Sequence, residues 1–162
     1  MGIYKFALDF ERKNREYYEK CAQESKNGHI KKIFTYLAKE EKKHEEIVKK
    51  LADGKIENYN SDILTKSKEA FKAIADDITK NENIHEDDKI GIYRKAVKME
   101  QESQEFYKEK ADETNDDATK KVLMTLAKEE KRHEIILDHI LEHIERPQEW
   151  VEAAEFNELE QY

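Results

Sequence analysis

Two short stretches of the chain place a glutamate and a histidine three residues apart inside an otherwise apolar stripe: Glu41-x-x-His44 and Glu130-x-x-His133. At about 100° per residue, positions i and i+3 share one face of a helix, so each pair can aim at a single point. Glu41 and His44 fall between Leu37 and Val48; Glu130 and His133 fall between Leu126 and Leu137. Glu11 follows Phe10 at the edge of an earlier stripe, and Glu100 follows Met99 at the edge of another. A buried carboxylate is costly unless it is paired or bound to a metal, and four converging in one core would repel strongly. Two divalent cations would cancel the four charges and leave two neutral imidazoles as nitrogen ligands. The chemistry on offer is that of a dinuclear metal site.

The spacing by itself is not specific. Glu82-x-x-His85 has it too, but lies in the polar stretch NENIHEDDK and has no counterpart elsewhere. His139 and His143 share a face at i and i+4, again without a counterpart, and read as surface histidines. The other two pairs are duplicated. Residues 7–48 align without gaps on 96–137, and 17 of the 42 positions are identical, including the shared run LAKEEK-x-H.

Helices must position these groups. Ile3, Ala7, Phe10, Asn14, Tyr17 and Cys21 alternate by four and three, and so do Ile30, Ile33, Leu37, Glu41, His44, Val48 and Leu51. A third stripe runs Ile92, Ala96, Met99, Ser103, Phe106, Lys110, and a fourth Val122, Leu126, Glu130, His133, Leu137, Ile140, Ile144. This is the period of four packed amphipathic helices. Polar breaks at 25–28 and 114–117 divide each repeat into a hairpin, with Ser25 or Asn27 and Asp116 or Asp117 as candidate caps. The expected fold is all-α: a four-helix bundle over 1–146, its two hairpins joined by a long crossover at 53–88. Within the crossover SKEAFKAIADDI can form a short helix. Residues 147–162, opening on Pro147, read as a short C-terminal helix packed on the bundle.

Composition narrows the function classes. The net charge of −8 disfavours nucleic acids and anionic membranes as partners. One cysteine, Cys21, allows no intrachain disulfide, zinc ribbon or cysteine-held iron–sulfur cluster. One proline and four glycines argue against a turn-rich β fold. No apolar run approaches the roughly 20 residues of a membrane span, and no secretory or myristoylation signal is evident, so a cytoplasmic location is expected.

One glutamate on each of two helices and Glu-x-x-His on each of two others resembles the ferritin-like di-iron carboxylate proteins. The stretches ALDFERKNREYYEK and YLAKEEKKHEEI, with their repeats, are most similar to the rubrerythrin family, over about 1–145. The resemblance implies Glu11, Glu41, His44, Glu100, Glu130 and His133 as ligands of two iron ions, with Glu41 and Glu130 bridging; manganese or zinc would suit the same donors. It also implies that Tyr18 and Tyr107 hydrogen-bond ligand carboxylates.

Two features depart from the family pattern. Rubrerythrins carry a four-cysteine rubredoxin domain, which these residues lack. They also carry an extra glutamate where this chain has Ser103, and Asn14 at the repeat-equivalent place, which makes the ligand set resemble that of bacterioferritin as well. Lys42 stands where a haem-binding methionine would follow the ligand glutamate, so no haem is expected. The activity implied is a peroxidase of oxidative-stress defence: a non-haem di-iron oxidoreductase reducing hydrogen peroxide or dioxygen, fed by a separate electron donor such as a rubredoxin, in a homodimer. The alternatives are ferritin-like iron storage or a structural metal site without turnover.

Overall fold

The computed structural model describes residues 2–54 and 90–145, with residues 72, 73 and 76. Four long helices fill the two main segments: α1 (Gly2–Glu24), α2 (Gly28–Ala52), α3 (Ile90–Glu113) and α4 (Asp117–Glu145). Among the described residues there is no strand. The crossover expected at 53–88 lies almost wholly outside the described residues, as do His85 and the C-terminal helix expected at 147–162.

The helix starts resolve the capping alternatives. Asn27 Oδ1 accepts the Ile30 N–H at 3.3 Å, and Asp116 Oδ2 accepts the Thr119 N–H at 3.0 Å. Each side chain thereby satisfies an orphan donor of the first turn. At the far end of α2, Gly54 takes φ 72° and its N–H bonds the Leu51 carbonyl at 3.1 Å, closing the helix in a conformation that costs glycine little.

The short breaks make α1–α2 and α3–α4 antiparallel hairpins. Equivalent repeat positions fasten them with different chemistry. Arg15 Nε donates to Glu45 Oε2 at 2.6 Å, whereas in the second hairpin Gln104 Nε2 donates to Glu134 Oε1 at 2.7 Å. The hairpins meet about a pseudo-twofold axis. Asn14 on α1 donates to Ser103 on α3 at 3.2 Å, and these are repeat-equivalent positions. Tyr18 bonds Glu100 while Tyr107 bonds Glu11, so α1 and α3 run antiparallel. His44 meets Glu130 while His133 meets Glu41, so α2 and α4 do too.

The apolar core lies in two clusters. One gathers Tyr18, Phe34, Leu37, Tyr93, Leu137 and Ile140; the other Ala7, Val48, Leu51, Tyr107, Leu123 and Leu126. Every helix contributes to both and carries buried polar residues between them: Glu11 and Asn14, Glu41 and His44, Glu100 and Ser103, Glu130 and His133. The expected stripes are corrected on α1 and α3, where the buried line is rotated by about one residue. Ile3 is 47% exposed rather than in the seam, Phe10 and Met99 are only half-buried, and Glu11 and Glu100 stand inside the core instead of at its edge. On α3 Tyr93 is buried in place of Ile92. Leu126 is fully buried in the second cluster. Leu126→Ala should cost about 2–5 kcal/mol in a denaturant melt of the chain; a loss within error of zero would mean that this cluster does not bear on stability.

Candidate metal centre

The polar layer between the clusters draws one glutamate from α1, one from α3, and a glutamate–histidine pair from each of α2 and α4. Two groups of donors form there. Glu11, Glu41, His44 and Glu130 make one; Glu41, Glu100, Glu130 and His133 make the other. Within each, one donor atom per residue lies within 4.8 Å of all the others, and every residue is buried. Glu41 and Glu130 belong to both groups. The structure thus brings the six residues named from the sequence to one place.

The geometry around the histidines is close. His44 Nδ1 lies 2.6 Å from Glu130 Oε1, 3.5 Å from Glu41 and 3.6 Å from Glu11. His133 Nδ1 lies 3.1 Å from Glu41, 3.5 Å from Glu100 and 3.8 Å from Glu130. The two rings stack with centroids 5.6 Å apart. Both present Nδ1 to the carboxylates.

Four orphaned atoms test whether a metal fits. Oε2 of Glu11, Glu41, Glu100 and Glu130 is each buried without a hydrogen-bond partner. Unsatisfied buried carboxylate oxygens are rare and expensive in a native protein, and one on each of four convergent glutamates calls for a cation. A set of four carboxylates and two imidazoles suits iron, manganese or zinc.

Without a cation, protons must take up the charge. Burial, then the charges of Glu11 and Glu100, push the Glu41 carboxyl well above its ordinary range. Burial, then Glu130, does the same for Glu100, and Glu130 is raised by burial with Glu11 and Glu41 beside it. Glu11 goes the other way, to about 2: burial opposes its ionisation, but Glu41 alongside and the charge of His44 outweigh that. Burial disfavours the cationic forms of His44 and His133, yet the surrounding carboxylates raise both well above the usual imidazole range. Metal binding therefore has protons to displace.

Tyr18 and Tyr107, both fully buried, donate to Glu100 and Glu11, the latter at 2.5 Å. Burial, followed by the adjacent glutamates, raises both phenols well above their ordinary range, so they hold their protons. Each tyrosine bonds the glutamate of the opposite hairpin, not the one two turns away on its own helix.

Sequence reasoning missed a further carboxylate. Glu129, buried, lies 2.5 Å from His44 Nε2. Its one signal was the doublet Glu129-Glu130, repeated at Glu40-Glu41. His139 stands apart from the centre, its Nδ1 3.8 Å from Glu142; the side chain of His143 lies outside the described residues.

Reconstitution with Fe(II) followed by elemental analysis should approach two ions per chain, because two overlapping donor groups are present. Saturation at one would contradict the dinuclear arrangement.

Among the described residues no helix is long and apolar enough to cross a membrane. A family model described as Rubrerythrin matches residues 3–141. No curated protein and no solved structure matches the chain.

Proposed function

The chain belongs to the rubrerythrin family, and from that premise we propose that it is a non-haem di-iron oxidoreductase that reduces hydrogen peroxide or dioxygen with electrons from a separate donor protein. The observation that carries this reading is the pair of donor groups sharing Glu41 and Glu130, walled by apolar clusters on both sides. Bound as Fe(II), the two ions would supply one electron each, the two that cleavage of a peroxide O–O bond requires.

The protein's own residues do the rest. Glu11, Glu41, His44 and Glu130 would hold one ion, and Glu41, Glu100, Glu130 and His133 the other. Tyr18 and Tyr107 fix the orientation of Glu100 and Glu11 through their hydroxyls. The same hydroxyls keep protons within hydrogen-bond reach of the carboxylates, next to where peroxide reduction consumes them. The flanking clusters keep bulk water from the layer. With one cysteine in these residues, no four-cysteine iron site can be built from them, so a rubredoxin-like protein is the class of donor proposed.

Anaerobic Fe(II)-loaded protein mixed with hydrogen peroxide should be oxidised and should be returned to the reduced state by an added rubredoxin and its reductase. Protein that takes up two Fe(II) ions and is oxidised by neither peroxide nor dioxygen would be a structural metal protein instead. Mass in solution separates the remaining reading: a dimer accords with the oxidoreductase, a large closed shell with iron storage.

A further inference from the structure

The repeat makes the centre symmetric in its six ligands, but the next layer out is not. His44 Nε2 lies 2.5 Å from Glu129 Oε2, across from α2 to α4, where a carboxylate can accept the Nε2 proton. The repeat-equivalent contact would join His133 to Glu40. Glu40 is engaged elsewhere: its Oε1 accepts the Tyr36 hydroxyl at 2.9 Å, and its Oε2 pairs with Lys43 at 3.2 Å. Thr125 stands where the second repeat would carry a tyrosine like Tyr36. Among the described residues, the hydrogen bonds and ion pairs of His133 involve Nδ1 and not Nε2. Arg132, also buried, lies within electrostatic reach of Glu129, Tyr36 and Glu40.

A hydrogen bond on one imidazole nitrogen decides what the other can do. Once the ring is neutral, a proton held on Nε2 leaves the lone pair on Nδ1, the nitrogen that faces Glu11, Glu41 and Glu130. An anionic acceptor also makes the ring a stronger donor to a metal and locks its rotation.

We propose that Glu129 is a positioning residue that fixes the tautomer and orientation of His44 and makes the two metal positions unequal, the one built from Glu11, Glu41, His44 and Glu130 binding more tightly. This rests on the dinuclear reading above. The position built from Glu41, Glu100, Glu130 and His133 lacks this anchor on its imidazole and would release its ion first.

The test is a Co(II) titration of the metal-free full-length chain, followed by calorimetry and visible absorption. The wild type should bind two ions in two separate steps. Glu129→Gln should weaken the tighter step by about tenfold to a hundredfold and bring the two steps together. Glu129→Leu, which removes the acceptor as well as the charge, should weaken it further. Glu40→Gln should leave the separation of the steps intact. A readout on the wild type needs no variant to fold: in Zn(II)-loaded protein, the His44 Nε2 proton should appear in nitrogen-edited NMR as a slowly exchanging imidazole N–H, and that of His133 should exchange faster. Two wild-type steps that Glu129→Gln leaves unchanged, equal losses from Glu129→Gln and Glu40→Gln, or equal exchange at the two histidines would overturn this inference alone. A wild type that binds one ion or none would overturn the dinuclear reading, and this inference with it.

Discussion

His44→Ala and His133→Ala should each lower divalent-metal affinity by about two orders of magnitude or more. Loss of a residue that merely orients a metal-binding histidine typically costs 10- to 100-fold, and loss of the histidine itself should reach at least the upper end of that range. Each imidazole is also a cation that buried carboxylates face in the metal-free protein, four around His44 and three around His133. Removing it leaves those charges uncompensated, a loss on the order of 3–5 kcal/mol. The variants should therefore melt lower even without metal. His139→Ala is the control, because that ring lies beside Glu142 rather than in the polar layer. Metal titration and melts of the three variants decide the matter: equal loss of affinity from His139→Ala would place the centre elsewhere.

Chelation should lower the melting temperature at pH 7 by roughly 8–16 °C. A ligand that binds only the folded state, present at a thousandfold excess over its Kd, contributes about 4 kcal/mol, and each kcal/mol moves the melting point of a chain this size by about 2–4 °C. The gap should shrink near pH 5, and the signs follow from the direction of each shift. Glu41, Glu100 and Glu130 have raised folded values. Their contribution to the metal-free fold is present below the ordinary carboxylate value of 4.5 and is lost as pH rises through the folded ones. His44 and His133 are raised as well, so theirs is present below 6.5 and lost as pH rises further. Glu11 is the exception: its contribution is present above 4.5 and lost only as pH falls through about 2. Between pH 7 and pH 5 the metal-free protein thus gains stability on acidification, while protons compete with the metal for the same ligands. Circular dichroism melts with and without chelator at both pH values give the answer. Equal melting temperatures for the two forms at pH 7 would mean that these carboxylates do not gather around a metal.

Much of this site was legible from the sequence because two periodicities coincide in it. The helical period marks Glu41, His44, Glu130 and His133 as interruptions of apolar stripes, and the 89-residue repeat shows that the interruption occurs twice in one register. A polar pair repeated inside an apolar stripe must have a partner worth the cost of burial, so a metal can be inferred before any fold is seen. The same period was less informative for α1 and α3. Phe10 and Met99 suggested the inward line there, but the rotation of a helix about its axis is fixed by what it packs against, and the buried line passes through Glu11 and Glu100 themselves.

What only the tertiary structure decided is which residue meets which across the hairpins. Tyr18 shares a face with Glu11, and the sequence leaves open which ligand carboxylate it meets. Yet seven residues along a helix is about 10 Å of rise, too far for a phenol to reach back. Antiparallel packing of α1 on α3 brings Glu100 to Tyr18 and Glu11 to Tyr107 instead. Glu129 was hidden for a related reason. In a chain that is 42% charged, a glutamate beside a seam reads as part of a solvated face. Only the approach of α2 to α4 sets it against His44 Nε2, while Tyr36 and Lys43 draw its repeat counterpart Glu40 into other contacts. Local sequence carries the period and the repeat; contacts between residues some 80 to 90 positions apart depend on how two helix pairs dock, and no stretch of sequence along one helix encodes that.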